Sequence, residues 1–177
     1  MKKRILCLVL SVCLTAGLCL CFAPSASAYQ TGYPNTYTNT GNQRSDVVAI
    51  AQTQLGYPYD GGTKYGAWWT EANGYGYDFT REAWCAMFIL WCEAQAGCTA
   101  GYQGGSAHCA TWLSSFRNGK NGNSAQRFGS GYMPRPGDIV FVGYDGYSTD
   151  HVGLVTAVSG DTIYTIEGNY SKKVSAV

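Results

Sequence analysis

The chain of 177 residues carries 12 Lys and Arg against 11 Asp and Glu, so its formal net charge is only +1. Three of the basic residues are Lys2, Lys3 and Arg4, and the rest of the chain is therefore weakly acidic. Such a chain has no electrostatic attraction to nucleic acid or to an anionic membrane, and the composition argues against both as partners.

The first 28 residues have the pattern of a secretory signal peptide. A basic start is followed by an apolar run from Ile5 to Phe22 and by an Ala-Ser-Ala tripeptide that ends at Ala28. We predict a signal peptide over residues 1–28, cleaved after Ala28, and a mature protein that is secreted. An uncleaved anchor is the alternative, because the apolar run approaches the length of a membrane span.

Half of the eight cysteines lie in the predicted signal peptide, and the mature chain keeps Cys85, Cys92, Cys98 and Cys109. Four cysteines are too few for a disulfide scaffold in a domain of this size, so a hydrophobic core must stabilise the fold. Any pairing among Cys92, Cys98 and Cys109 stays open, although a free buried thiol is the simpler interpretation of Cys92.

The region after the signal peptide divides into a linker and a single domain. Residues 29–44 are polar and show no periodicity, which predicts a linker. We place the domain at residues 45–177 and expect it to open with a helix. Ser45 is the predicted N-cap of that helix, and Gly56 is the predicted stop.

Further helices follow before the first strand. Residues 57–79 are rich in Gly, Tyr and Trp and predict a loop with a short helix near Tyr65. Residues 80–97, capped by Thr80, carry apolar side chains on nearly all faces, which predicts a helix buried in the core. A third, shorter helix is predicted over residues 107–116.

The composition changes after residue 130. Three short segments rich in Val, Ile and Tyr predict strands over residues 136–143, 151–159 and 161–168. The Ser-Gly-Asp tripeptide that begins at Ser159 predicts a tight hairpin between the last two. This order predicts an α+β fold in which N-terminal helices pack on a C-terminal antiparallel β-sheet.

Cys85 is the candidate nucleophile of this domain. It is expected about one turn into the buried helix, where free backbone amides and the helix dipole favour an anion and lower the pKa of a thiol. Cys92 lies two turns deeper, where this effect has faded. We therefore predict that Cys85 is reactive and that Cys92 is inert.

A thiolate nucleophile needs a base and a group that orients the base. His108 begins a short helix, whereas His151 begins a strand of the sheet expected to pack on the helix of Cys85, so His151 is the predicted base. The next strand carries Glu167 and Asn169 on one face if it stays extended. Glu167 is favoured as the orienting group, because an isolated Glu in an apolar strand needs a partner.

Four segments, AWCAMFILWC, PRPGDIVFV, DHVGLVTAV and IEGN, occur in this order and resemble the CHAP domain (cysteine, histidine-dependent amidohydrolase/peptidase) of secreted bacterial peptidoglycan hydrolases. The resemblance extends from about Ser45 to the last residue. It implies a papain-like α+β fold in which Cys85 is the nucleophile, His151 is the base, and Glu167 and Asn169 complete the site. It also implies peptidoglycan as partner, a secreted protein that is extracellular or associated with the cell wall, and oxyanion stabilisation by backbone near the nucleophile.

The resemblance and the site residues together predict a secreted cysteine hydrolase that cleaves amide bonds in the peptide part of peptidoglycan. The bond that it cleaves is either the one cut by an N-acetylmuramoyl-L-alanine amidase or one cut by an endopeptidase, and the sequence does not distinguish these two activities. A catalytically silent wall-binding module and a secreted cysteine peptidase acting on proteins are the alternatives. We expect a monomer that needs no cofactor.

Two features depart from the family pattern. Some members bind calcium in an acidic loop before the nucleophile, but the acidic residues of that region lack the close spacing of a calcium loop, and we predict no metal. These residues are Asp60, Glu71, Asp78 and Glu82. Members usually continue after IEGN through a further strand, whereas this chain ends at Val177, so we expect a fragment or a domain that lacks an edge strand.

Overall fold

A computed structural model describes residues 33–73, 76–98, 104–127, 129–144 and 148–177 of the chain. The predicted signal peptide and the first residues of the predicted linker lie outside these ranges. Within them, every helix is too short or too polar to span a membrane.

The described residues form helices first and a sheet afterwards. The helices are α1 (Gln43–Thr53), α2 (Lys64–Asn73), α3 (Cys85–Gln95) and α4 (Cys109–Arg117), followed by a 3-10 turn over Lys120–Gly122. The strands are β1 (Ile139–Val142), β2 (His151–Ser159), β3 (Thr162–Tyr170) and β4 (Lys173–Ala176), and they pair antiparallel in the order β1-β2-β3-β4. This arrangement confirms the predicted α+β fold and is consistent with a papain-like architecture.

Helix α3 is the centre of the core. Its residues are buried without interruption from Cys85 to Glu93, and it packs on α1, α2, β2 and β3. Gly168 of β3 permits the close approach to the sheet, since a Cβ at this position would lie 2.5 Å from the Cβ of Phe88. The glycine therefore sets the distance between the helix that carries Cys85 and the sheet that carries His151.

Helix α1 begins three residues before the predicted start. Asn42, and not Ser45, is the N-cap, because its side chain accepts hydrogen bonds from the backbone amides of Arg44 and Ser45. The buried carboxylate of Asp46 accepts hydrogen bonds from the Thr40 amide and hydroxyl at 2.9 and 2.8 Å. Several polar residues in this stretch are suitable caps, and the fold of the preceding chain selects Asn42.

The described end of the predicted linker contacts the domain. Tyr33 and Tyr37 pack against the core. The Lys64 ammonium donates a hydrogen bond to the Tyr33 carbonyl at 2.8 Å and lies 4.6 Å from the centre of the Trp91 ring. These contacts hold the segment before α1 against α2 and α3.

Helices α2 and α4 differ from the predicted bounds. Helix α2 is longer than the short helix predicted near Tyr65, and α4 begins two residues after the predicted start. A Cβ at Gly66 would lie 2.3 Å from the Phe79 carbonyl oxygen. The glycine therefore allows α2 to lie close to the chain that leads to α3. Gly66 lies inside the helix and does not end it, although glycine has a low helix propensity.

The sheet contains one predicted hairpin and one that was not predicted. Ser159 pairs with Thr162 across a two-residue loop, and Gly160 takes a positive φ of 56°, which confirms the first hairpin. Strand β4 was not predicted. It follows β3 through Ser171 and Lys172, which both have positive φ, and neither residue type marks such a turn in a sequence.

Candidate active site

The thiol of Cys85 lies at the first residue of α3. Trp84 occupies the N-cap position, so the helix does not begin at Thr80 and Cys85 is not one turn inside it, as was predicted. The Trp84 ring is fully buried and stacks on Tyr65 with ring centroids 5.4 Å apart. This packing fixes where the helix begins and places the sulfur beside the unpaired amides of the first turn.

His151 and Glu167 meet on neighbouring strands of the sheet. His151 is the first residue of β2, and its Nε2 lies 2.8 Å from Oε2 of Glu167 on β3. Both side chains are buried. Because Nε2 is engaged by the carboxylate, Nδ1 is the ring nitrogen left for the thiol of Cys85.

Two further residues support the carboxylate, and the sequence analysis missed both. The hydroxyl of Thr165 donates a hydrogen bond to the other oxygen of Glu167 at 2.6 Å. A Cβ at Gly153 would lie 3.1 Å from Cγ and Oε1 of Glu167, so the glycine makes room for the carboxylate. The two-residue spacing of Thr165 and Glu167, which places them on one face of β3, was the available signal for Thr165.

The surroundings of Cys85 favour its thiolate. A hydrogen bond from Cys109 is the largest influence; burial opposes it, and His151 and the backbone amide of Ala86 add to it. Together they lower the pKa of Cys85 from 9.0 to about 5. The sulfur is therefore an anion at neutral pH.

The surroundings of His151 favour its protonated form. Hydrogen bonds with Cys85 and with Glu167 raise the pKa of His151 from 6.5 to about 9, although burial opposes the change. Burial alone would raise the pKa of Glu167, but the hydrogen bonds from His151 and Thr165 outweigh it and lower that pKa. At neutral pH the site therefore holds a thiolate and an imidazolium, with a carboxylate behind the ring.

The backbone at Asn169 departs from the extended strand that was predicted there. The backbone of Asn169 has a φ of 60°, and the pairing of β3 with β4 shifts register between Glu167 and Tyr170. A left-handed residue breaks the alternation of side chains that would have placed Asn169 beside Glu167. Among the described residues, the Asn169 side chain forms no hydrogen bond, and its place in the site stays a prediction.

Cys92 and His108, which were predicted to be inactive, differ in their surroundings. Cys92 is fully buried, and burial raises its pKa. His108 is the N-cap of α4, with its Nδ1 3.1 Å from the Thr111 hydroxyl. The four described cysteines are all free, so the structure contains none of the disulfides left open among Cys92, Cys98 and Cys109.

A cleft of about 190 Å³ gives access to the sulfur of Cys85. Cys109, His108, Thr149 and Asp150 are among its lining residues. Nearby, the ring of Tyr144 lies 6.0 Å from that of His151 and remains 71% exposed. Tyr144 was not predicted from the sequence.

Among the described residues, no group of three or more His, Cys, Asp or Glu side chains is arranged to hold a metal ion. Two of the acidic residues considered for calcium bind neighbours instead. Asp78 accepts hydrogen bonds from Thr80, and Glu82 accepts one from the Tyr77 hydroxyl at 2.6 Å. The absence of a metal requirement stays a prediction.

The comparisons with known proteins agree with this geometry. The family model described as CHAP domain matches residues 75–169, which is more than half of the chain and includes Cys85, His151 and Glu167. Searches of curated proteins and of solved structures returned no significant match. The chain belongs to the CHAP domain family, whose members are in general hydrolases of the amidase and peptidase type.

Proposed function

We propose that this protein is a secreted cysteine hydrolase that cleaves amide bonds in the peptide part of bacterial peptidoglycan. One observation carries the proposal: a cysteine with a lowered pKa at a helix start lies beside a buried His151–Glu167 pair and opens to a cleft. Secretion, a monomeric state and peptidoglycan as partner are parts of the same proposal.

The proposed reaction begins with the Cys85 thiolate. The sulfur attacks the carbonyl carbon of the amide, and negative charge develops on the carbonyl oxygen. The free amides in the first turn of α3 are the donors nearest to that charge, and no side chain is assigned to this role. Cys85 thereby forms a bond to the acyl part of the substrate.

His151 moves the protons of both halves of the reaction. Its imidazolium donates a proton to the departing amine, and the neutral ring then takes a proton from the water that hydrolyses the thioester. Glu167 stays ionised throughout, because its role is to hold the ring and to stabilise the imidazolium. Thr165 and Gly153 keep the carboxylate in position.

The site argues against a catalytically silent wall-binding module. Such a module has no need of a stabilised thiolate, and burying three titratable groups together without use is unfavourable. A secreted peptidase acting on proteins uses the same chemistry, and the family relation alone favours the wall substrate.

The test is digestion of purified cell walls by the secreted protein, with mass spectrometry of the soluble fragments. An amidase frees stem peptides that begin with L-alanine, whereas an endopeptidase leaves part of each stem on the glycan. Cys85→Ala is the matched control and should release no fragments. Casein cleavage without wall fragments would establish the protein peptidase, and wall binding without any product would establish the silent module.

A further inference from the structure

Cys109 lies beside the proposed nucleophile, although the two residues are far apart in the chain. The sulfurs of Cys85 and Cys109 are 3.7 Å apart, and both residues are buried. Each is the first residue of a helix, Cys85 of α3 and Cys109 of α4. Two helix N-termini therefore converge on one pair of sulfur atoms, and both cysteines are among the residues that line the same cleft.

The separation of the sulfurs is van der Waals contact. A disulfide bond is about 2.05 Å long, so the sulfurs must approach by about 1.7 Å to form one. The other two cysteines are placed differently. Cys98 directs its sulfur toward the Gln43 carbonyl oxygen at 3.7 Å, and Cys92 is enclosed within the core.

We propose that Cys85 and Cys109 form a reversible disulfide when a hydroperoxide enters the cleft, with Cys109 as the resolving cysteine. The inference rests on the proposed function in one respect, that Cys85 is the reactive thiolate of the site. Cys109 is then a modification site, and the reagent that starts its modification, by oxidising Cys85, is a hydroperoxide.

The reaction has two steps. The Cys85 thiolate attacks the terminal oxygen of the hydroperoxide, the O–O bond breaks, and Cys85 becomes a sulfenic acid. The departing alkoxide, which is hydroxide when the reagent is hydrogen peroxide, takes the proton of the His151 imidazolium. The sulfur of Cys109 then attacks the sulfur of Cys85, the S–O bond breaks, and hydroxide leaves with the thiol proton as water. Two thiols are oxidised to one disulfide, and a peroxide is reduced to two waters when it is hydrogen peroxide.

The surroundings of Cys109 also favour its thiolate only after Cys85 has been oxidised. In the reduced site, the hydrogen bond to Cys85, burial and the neighbouring negative charge raise the pKa of Cys109 and keep it a thiol. A sulfenic acid at Cys85 removes that charge, and the amides at the start of α4 then favour the Cys109 thiolate. The resolving thiolate thus becomes favourable only after the nucleophile has been oxidised.

The disulfide inactivates the enzyme reversibly and protects the sulfur of Cys85. Hydrolysis stops because Cys85 has no free sulfur, and further oxidation to the irreversible sulfinic acid is blocked. A dithiol reductant restores both thiols by disulfide exchange.

The test is peptide mapping of the purified secreted protein after treatment with hydrogen peroxide, without reduction and under alkylation of free thiols. The expected product is a linked pair of peptides that contains Cys85 and Cys109. Wall hydrolysis should fall about tenfold or more and recover on addition of dithiothreitol. In Cys109→Ser, the same treatment should give sulfinic Cys85 and a loss that dithiothreitol does not reverse, whereas Cys98→Ser should behave as the unaltered protein.

Mapping of the unaltered protein decides the matter even if Cys109→Ser does not fold. Oxidised Cys85 without a link to Cys109, or a link to Cys98 in its place, would overturn the inference. The mapping needs no wall substrate. A Cys85–Cys109 disulfide in a protein that digests no walls would leave this inference standing and reject the proposed function instead.

Discussion

Cys85 and Cys92 lie on the same helix and are almost equally buried, with 4% and 0% of their surfaces exposed, although only Cys85 borders the cleft. The pKa of Cys85 is nevertheless lowered to about 5, whereas burial raises the pKa of Cys92. Burial disfavours a thiolate at both positions. What distinguishes Cys85 is a set of local partners: Cys109, His151 and the first amides of α3.

Two buried glutamates repeat the contrast. Glu167 has a partner for each carboxylate oxygen, and its pKa is lowered. Glu93, at the far end of α3, has an Oε2 without a hydrogen-bond partner, and burial raises its pKa from 4.5 to about 8. One end of the helix therefore stabilises charged side chains, and the other end keeps them neutral.

The largest expected effect is that of Cys85→Ala, and Cys92→Ala on the same helix is its matched control. Cys85→Ala should lower wall hydrolysis by about 10⁴-fold or more, because no other group replaces the thiolate. Cys92→Ala should keep more than about a tenth of the activity, since it creates only a small cavity. Initial rates of wall clearing by both folded variants measure the difference.

Alkylation by iodoacetamide checks the same contrast without a substrate. Cys85 should be modified with a rate that rises through about pH 5, the pKa of its thiol, and Cys92 should stay unmodified in the folded protein. Equal loss of hydrolysis in the two variants, or modification of Cys92 before Cys85, would contradict the comparison.

Next in size is the effect of His151→Ala, which removes the proton donor and the partner of the thiolate. We expect hydrolysis to fall by about 10³-fold or more. Alkylation of Cys85 should move to higher pH, because His151 helps to lower the thiol pKa. His108→Ala is the matched control and should keep most of the rate; the reverse result would exchange the roles of the two histidines.

Glu167→Gln should have a smaller effect, between about 10- and 1,000-fold, because the amide keeps the shape and one acceptor. Glu167 raises the pKa of His151, whose value is about 9. Losing the carboxylate therefore lowers that pKa, and the alkaline limb of the pH–rate profile should move to lower pH. An unmoved limb together with a large loss in Asn169→Ala would identify Asn169 as the orienting group.

The smallest effect concerns stability at the other end of α3. The pKa of Glu93 is raised on folding, so its contribution to stability is complete below about pH 4.5 and is lost as pH rises through about 8. Glu93→Gln stays neutral and should melt at least about 3 °C above the unaltered protein at pH 8.5. Thermal unfolding between pH 5 and pH 8.5 tests this, as the two proteins should converge at about pH 5; a constant difference would show that Glu93 is not the titrating group.

Much of this protein follows from its sequence. Periodicity and composition predicted the buried helix, the order of helices and strands, and the hairpin at Gly160, because each is a local pattern of side chains along the chain. The same reasoning singled out Cys85, His151 and Glu167, since a helix start and two adjacent strands are readable without tertiary structure.

Tertiary structure decided how these parts meet. The packing of Trp84 sets the first residue of α3, and the contact of Gly168 with Phe88 brings the helix onto the sheet. The left-handed backbone of Asn169 interrupts the extended strand after Glu167, and the convergence of α3 and α4 places Cys109 against Cys85. Local periodicity does not predict these packing contacts, because each of them joins residues that are distant in the chain.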